Sequence, residues 1–238
     1  MSSRLFLPQG SILFPTEWAA PQVLVLGGRA PSASWLRTAV KNLSVTAVDH
    51  GLDACRGAGI RLERLIGDGD SADPANWSWA ESQGIPIERY PAEKDDTDTQ
   101  LAIAAAQQES SCLLLTGAFG GRFDHAYSTL FSASRADGHI VLADEQEMCL
   151  FLHANESVTV QFTQKPKAIS LLPFTAEVTG VTLSGVHWPL RDAVLAQERP
   201  NAISNELEPP NDTVTLRIGT GILGLYACWI NGPTLSRH

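Results

Sequence analysis

Four acidic or glycine-rich segments each follow an apolar run that is typical of a strand. They are Asp49, residues 67–71, residues 93–98 and residues 117–125. Because the carboxyl ends of parallel strands form one edge of an α/β sheet, we expect these segments to meet there. Carboxylates gathered at one edge repel one another unless a cation lies among them, and hard oxygen ligands favour Mg²⁺, which also carries substrate phosphates. The spacing therefore predicts an enzyme that uses a magnesium nucleotide.

The two acidic segments each have a chemical and a plain structural interpretation. Residues 67–71 place Asp68 and Asp70 two positions apart in a tight loop whose glycines allow close approach to a metal or phosphate. An exposed turn between strand and helix would explain the same residues. Residues 93–98 hold four acids just before a predicted helix, with Asp98 in its first turn near the positive amide ends. A solvated run of charge at a helix start is the alternative.

Residues 117–125 are the most specific segment, since a strand, a glycine loop and a helix in succession make an anion site from free backbone amides. Arg122 can hold two phosphate oxygens at once. Asp124 and His125 at the helix start can brace that loop or contact the nucleotide. No Lys-Ser or Lys-Thr follows the glycines, so this is not a Walker A sequence. An ordinary structural turn remains the alternative.

A later pair of segments, residues 185–190 and 203–206, adds an aromatic and two polar candidates. Trp188 stands beside a proline and either packs in the core or offers a flat face to an aromatic cation. Ser204 and Asn205 can supply polar contacts to a ligand, and generic turn chemistry explains them equally well.

Three regions are expected along the chain. Residues 1–20 look like an irregular lead-in. Strands alternate with helices over residues 21–145, which predicts a Rossmann-like, mostly parallel α/β domain with right-handed crossovers. Residues 146–238 contain strand patterns with little helical pattern between them, which predicts an all-β sandwich or barrel. The fold class is therefore α/β, with an N-terminal parallel α/β domain and a C-terminal all-β domain.

Composition excludes several classes of protein. The 238 residues are 44% hydrophobic and 18% charged, as in an ordinary globular protein. The formal net charge of −9 argues against nucleic acid as a partner, since a basic surface would be expected there. No stretch approaches the roughly 20 apolar residues of a membrane span. Four scattered cysteines without a CxxC pair predict buried free thiols, which fit a reducing cytoplasm.

Taken in order, these motifs resemble the thiamine pyrophosphokinase family, in its bacterial form. The resemblance covers roughly residues 23–230 and is carried by residues 48–51, 66–71, 91–98, 120–125, 185–190 and 204–206. It implies an α/β catalytic domain that binds ATP and a β-sandwich that binds thiamine. It also implies a homodimer with thiamine bound across the interface. The implied reaction transfers diphosphate from MgATP to the thiamine hydroxyl, giving thiamine diphosphate and AMP.

The resemblance also implies roles for individual residues. The implied metal ligands are Asp68, Asp70 and Asp98, with Asp49 in support. The implied nucleotide contacts are Asp49, Thr97, Gly120, Gly121, Arg122, Asp124 and His125. Asp70, Asp98 and Arg122 are the expected catalytic residues, and Trp188, Ser204 and Asn205 are the expected thiamine contacts.

Two positions depart from the pattern of the family, and two other functions stay open. His50 stands where the family usually has a glycine, which adds bulk near the phosphates. Gly69 replaces a large apolar residue between the two aspartates, which leaves that loop more flexible. One alternative is a diphosphokinase for another heteroaromatic alcohol, such as a hydroxymethylpterin. The other is a non-catalytic relative that binds thiamine or a nucleotide.

Overall fold

The structure is a computed structural model that describes residues 2–69, 72–90 and 95–230. It divides into two compact units. One is Thr16–Asp144, and the other combines Met1–Pro15 with Glu145–His238. The prediction of a mixed α/β fold is confirmed. The division between the units falls directly after Asp144.

The first residues form a β-hairpin, so the prediction of an irregular lead-in over residues 1–20 is wrong. Strands β1 (Ser3–Leu7) and β2 (Gly10–Phe14) pair antiparallel, with Leu7 opposite Gly10. Alternate side chains point into the core, as expected for strands with one buried face. The buried side chains are Leu5, Leu7, Ile12 and Phe14. Pro8 lies in the turn between the two strands.

The unit Thr16–Asp144 is built on a six-stranded parallel sheet. Its strands are β3 (Gln22–Val25), β4 (Ser44–Val48), β5 (Arg64–Ile66), β6 (Ile87–Glu88), β7 (Cys112–Thr116) and β8 (His139–Ala143). They lie in the order β8-β7-β3-β4-β5-β6, and each neighbouring pair is parallel. Every residue of β7 and β8 is buried, as is usual for central strands of such a sheet.

Helices connect these strands and begin close to the carboxyl edge of the sheet. They are α1 (Ala33–Ala39), α2 (Gly51–Ala58), α3 (Pro74–Ser82), α4 (Asp98–Gln107) and α5 (Phe123–Arg135). Asp73 caps α3 by accepting a hydrogen bond from the Ala75 amide, and Pro74 occupies the first turn. Thr97 caps α4 in a reciprocal capping box with Gln100. These caps fix where each loop ends and its helix begins.

The other unit contains antiparallel strands and, within the residues described, no α-helix. Its further strands are β9 (Glu147–Leu152), β10 (Ser157–Phe162), β11 (Ala168–Pro173), β12 (Glu177–Ser184), β13 (Leu190–Ala196), β14 (Thr213–Arg217) and β15 (Leu223–Cys228). One sheet has the order β1-β2-β10-β14-β12-β13, and a second set of strands has the order β11-β15-β9. The hairpin enters the first sheet because β2 pairs with β10, with Ile12 opposite Val160.

None of the helices in the described part of the chain has both the length and the apolar character needed to span a membrane.

Candidate functional site

A cavity of about 360 Å³ opens at the carboxyl edge of the parallel sheet. Its walls come from residues 26–28 after β3, residues 48–50 at the end of β4, Thr99 of α4, the loop after β7 and one side of α5. These segments meet because the strands are parallel and adjacent, so that the loops after them leave at the same level. A cleft at this position is where α/β sheets bind ligands.

The structure brings most of the predicted nucleotide contacts to this cavity. Those that line it are Asp49, Gly120, Gly121, Arg122 and His125. The other predicted residues of this unit are not among the described lining residues. Thr97 and Asp98 lie at the start of α4, Asp124 lies in the first turn of α5, and Asp68 lies just after β5. Asp70 and Ser71 fall outside the described residues.

Asp49 packs directly against the start of residues 67–71. The Asp49 amide donates to the Ile66 carbonyl at 2.9 Å. A Cβ added to Gly67 would lie only 1.8 Å from Oδ1 of Asp49, so residue 67 must be a glycine for the carboxylate to sit there. The register explains this contact, because Val48 pairs with Ile66 and the residues after both emerge side by side.

The carboxylates of Asp49 and Asp68 are chemically suited to bind a hard divalent cation. Asp49 and Asp68 leave adjacent strand ends, and carboxylate oxygens are the ligands that Mg²⁺ prefers. Within residues 2–69, 72–90 and 95–230, no three or more His, Cys, Asp or Glu side chains form a group that could hold a metal ion. The predicted set includes Asp70, which is outside those ranges. The metal site therefore stays a prediction.

The loop that carries Asp68 rests on an aromatic ring from α3. Gly69 has a φ of 86°, and a Cβ added there would lie 3.1 Å from two atoms of the Trp77 ring. Trp77 is buried, and the Arg89 guanidinium carbon lies 5.0 Å from its ring centroid. The ring thus fills the space that a larger residue at position 69 would need.

Arg122 is held at the cavity by its neighbour Asp124. Its Nη2 and Nε atoms donate to Oδ2 and Oδ1 of Asp124 at 2.5 and 3.1 Å. The hydrogen bond from Arg122 holds the pKa of the Asp124 carboxyl below its usual value, and Asp124 raises the pKa of Arg122. A guanidinium carries five N–H donors, so this pair leaves others available for phosphate oxygens.

An ion pair whose carboxylate is buried lies beneath the glycine loop, and the sequence reasoning missed it. Arg29 donates from Nε and Nη2 to Oδ2 of Asp144 at 3.0 and 2.6 Å, and Asp144 is fully buried. The Arg29 amide donates to the Phe119 carbonyl at 2.6 Å, and a Cβ on Gly120 would lie 2.8 Å from Cβ of Arg29. Arg29 therefore braces the loop that ends at Arg122. Gly27 and Gly28, just before Arg29, were the available signal in the sequence.

His50 places a bulky side chain at the cavity, as expected. It lines the cavity, and its Nδ1 lies 3.1 Å from Oδ2 of Asp53. A Cβ added to Gly27 would lie 3.0 Å from Cβ of His50, so the glycine after β3 makes room for this side chain. Thr99 also lines the cavity, and the sequence analysis did not single it out, since it named only the neighbouring Thr97 and Asp98.

Gly67→Ala is expected to abolish most of the activity and to destabilise the fold. The new Cβ would overlap the Asp49 carboxylate, and a φ of 144° is strained for any residue with a side chain. Gly57→Ala is the matched control, because its Cβ would meet no atom within 4 Å and its φ is not positive. Urea denaturation and turnover of both variants test this. A Gly67→Ala enzyme as active as Gly57→Ala would contradict the contact.

The all-β unit has a separate cavity of about 380 Å³. Trp188, Val194 and Ile203 line it, and each of these large apolar side chains is more than half exposed. An exposed group of apolar side chains around a cavity marks a binding surface for a ligand or another protein.

The structure brings two of the three predicted thiamine contacts together at this cavity. Asn205 accepts a hydrogen bond from the Trp188 amide at 3.1 Å and donates to the Trp188 carbonyl at 2.8 Å. Both residues line the cavity, whereas Ser204 is not among the described lining residues. Ser204 has a φ of 61°, and its amide donates to Oγ of Ser170 at 3.1 Å. Asn205 therefore holds the backbone of Trp188.

Two family models match most of the chain. The model described as "Thiamin pyrophosphokinase, catalytic domain" matches residues 37–142. The model described as "Thiamin pyrophosphokinase, vitamin B1 binding domain" matches residues 154–223. The first range lies in the parallel unit and the second in the all-β unit.

Individual relatives agree with these models. Thiamine pyrophosphokinase of Bacillus subtilis (strain 168) is 28% identical over 180 residues, which are 74% of this chain and 84% of the relative. Thiamine pyrophosphokinase 2 of Oryza sativa subsp. japonica is 30% identical over 146 residues, 55% of this chain and 53% of the relative.

Solved structures have the same fold. The crystal structure of thiamine pyrophosphokinase from Bacillus subtilis superposes with a TM-score of 0.77 at 22% identity, covering 89% of this chain and 100% of the other. The thiamin pyrophosphokinase from Geobacillus thermodenitrificans gives a TM-score of 0.73 at 25% identity, covering 90% and 98%.

Proposed function

The chain belongs to the thiamine pyrophosphokinase family, and from this premise we propose how its residues make thiamine diphosphate. The hydroxyl oxygen of thiamine attacks the β-phosphorus of ATP. The bond from that phosphorus to the oxygen it shares with the α-phosphorus breaks, AMP leaves with this oxygen, and the hydroxyl proton is released. The observation that carries this assignment is the cavity at the sheet edge, which combines a carboxylate, a glycine loop and Arg122.

The glycine loop would hold the outer phosphates of ATP. Gly120 and Gly121 both have a φ of 67°, and they lie just before Arg122 and α5, whose N-terminal end favours an anion. Arg122, already oriented by Asp124, stabilises the charge that grows on the transferred phosphates. Thr97, Asp124 and His125 complete the proposed nucleotide contacts. The work of these residues is mainly to position the triphosphate.

We assign the magnesium site to Asp68, Asp70 and Asp98, with Asp49 in support. The carboxylate chemistry of the described members and the contact of Asp49 with Gly67 support this assignment. A bound Mg²⁺ would neutralise charge on the phosphate oxygens. The chain's own part would be to supply carboxylates from the ends of neighbouring parallel strands.

Thiamine would bind at the cavity of the all-β unit. Trp188 offers an exposed aromatic face, and aromatic faces attract cations such as the thiazolium ring. Asn205 fixes the Trp188 backbone, and Ser204 is proposed as a further polar contact. The exposed apolar side chains around this cavity support a homodimer in which a second copy completes the site.

The strand order of the parallel unit supports a Rossmann-like domain, and the two antiparallel groups of strands support a β-sandwich.

Burial raises the pKa values of Cys55, Cys112 and Cys149 to about 12, which keeps these thiols protonated and inert. Free, inert cysteines support a reducing compartment, and we propose the cytoplasm.

The products of one reaction test the proposed chemistry. Thiamine and MgATP should give thiamine diphosphate and AMP in equal amounts. Thiamine monophosphate should be a poor acceptor, because its hydroxyl is already esterified. Chromatography of the reaction mixture measures all of these species. ADP with thiamine monophosphate as main products would overturn the mechanism, and turnover with a hydroxymethylpterin in place of thiamine would move the assignment to that alcohol.

A further inference from the structure

The Trp188 ring has an aromatic neighbour that the proposed mechanism does not use. The imidazole of His187 stands almost perpendicular to the indole, at an angle of 83° and with ring centroids 4.5 Å apart. Trp188 is 59% exposed, so core packing alone does not fix its ring. Perpendicular contacts between aromatic rings are favourable and directional. His187 thus restricts the orientations open to the indole.

A carboxylate in turn fixes His187. Its Nδ1 lies 2.8 Å from Oε2 of Glu208. An ionised carboxylate only accepts hydrogen bonds, so Nδ1 carries the proton and donates it to this contact. Both side chains are about half exposed, and ion pairs at the surface add little to stability. What the pair supplies is a fixed orientation of the imidazole.

The backbone keeps these three side chains in register. The His187 amide donates to the Glu206 carbonyl at 2.9 Å, and the Glu208 amide donates to the Gly185 carbonyl at 3.2 Å. Val186 and Leu207 form an antiparallel bridge between the same two segments. Asn205 then bonds both backbone polar groups of Trp188. The segment 205–208 therefore holds the segment 185–188 through its backbone and through Glu208.

We infer that His187 is a positioning residue for thiamine, and that Glu208 locks its imidazole so that Trp188 keeps one ring orientation before thiamine arrives. This inference rests on the proposed role of Trp188 in binding thiamine. A preformed aromatic face binds more tightly, because the entropy of ordering the side chain has already been lost. Neither His187 nor Glu208 needs to touch the reacting atoms.

Two pairs of variants test whether the orientation of the His187 ring matters, separately from the aromatic ring itself and from the charge of Glu208. His187→Ala removes the ring contact and the link to Glu208, whereas His187→Phe keeps an aromatic ring but cannot donate to Glu208. Glu208→Ala removes the acceptor, whereas Glu208→Gln keeps an acceptor oxygen and removes the negative charge. His153→Ala is the control, because His153 also faces a glutamate, Glu156 at 3.7 Å, in the same unit without lining the cavity.

The expected result is a selective loss of thiamine affinity. His187→Ala and Glu208→Ala should raise KM for thiamine about three- to tenfold, with kcat and KM for ATP unchanged. Glu208→Gln and His187→Phe should raise KM for thiamine less than the corresponding alanine variants. His153→Ala should leave KM for thiamine unchanged. Calorimetric titration with thiamine alone should show the same order of affinities, and thermal unfolding identifies any variant that is not folded.

Unchanged KM for thiamine in folded His187→Ala, or an equal fall in kcat and in ATP affinity, would overturn the inference. A Glu208→Gln enzyme as impaired as Glu208→Ala would also overturn it, since charge rather than orientation would then matter. Trp188→Ala separates this failure from that of the proposed function. If it raises KM for thiamine while His187→Ala does not, only the positioning role fails. If it has no effect, the thiamine site itself has been assigned wrongly.

Discussion

Asp70→Asn is expected to lower the rate of thiamine diphosphate formation by about a hundredfold or more, a loss typical of removing one key electrostatic group. Asp70 belongs to the proposed magnesium site with Asp68 and Asp98. An amide keeps the size of the side chain but supplies a neutral and weaker ligand, so the metal and the triphosphate would both be held less firmly. The measurement is kcat at saturating thiamine and ATP over a series of Mg²⁺ concentrations.

Asp96→Asn is the matched control for this experiment. Asp96 is an exposed acid two residues before Asp98, and it has no assigned part in the site. Its loss changes the net charge of the protein by the same amount, so it should leave turnover within about twofold, as expected for an exposed surface position. Circular dichroism and thermal unfolding establish that both variants are folded. Near-normal activity in folded Asp70→Asn would remove this residue from the metal site.

The carboxyl edge of the parallel sheet could be predicted because its signals are local. Each strand is a short apolar run, and each is followed within a few residues by an acid or a glycine. Parallel pairing then brings the ends together whatever the order of the strands. Asp49 and Gly67 illustrate this, since they meet because the strands before them are neighbours. The sequence did not reveal how closely they meet.

Contacts between distant segments could not be predicted in the same way. The hairpin at the start of the chain joins a sheet made by β10, and nothing local at Pro8 or Gly10 indicates that partner. The same limit applies to Asn205, which is predicted as a thiamine contact. Its side chain also bonds the backbone of Trp188, and that contact depends on the register of two segments 17 residues apart.

Arg29 and Asp144 show this limit most clearly, because neither belongs to a motif. Arg29 follows a glycine pair after β3, and Asp144 follows β8 at the end of its unit. An isolated arginine and an isolated aspartate are ordinary residues in a sequence. Only the fold shows that Asp144 is fully buried and that Arg29 supplies two hydrogen bonds to it.

Removing one member of this pair should cause a large loss of stability. Arg29→Met is expected to lower the free energy of unfolding by about 3–5 kcal/mol, because it leaves the buried Asp144 carboxylate without its guanidinium partner. The double variant with Asp144→Leu should recover part of that loss, since an apolar pair does not leave a buried carboxylate without its guanidinium. The glycine loop that Arg29 braces would also be less ordered, so KM for ATP should rise in Arg29→Met.

Urea denaturation of the two single variants and the double variant measures the coupling between Arg29 and Asp144. Glu81→Gln is the control, because Glu81 forms a 2.6 Å ion pair with Arg89 in which both side chains are about half exposed. An exposed pair of this kind contributes about 0–1 kcal/mol, so Glu81→Gln should change stability little. If Arg29→Met cost no more than Glu81→Gln, or if the double variant showed no coupling, the ion pair would not be what fixes the glycine loop. The ordering of that loop would then depend on its backbone bonds to residues 28 and 29 alone.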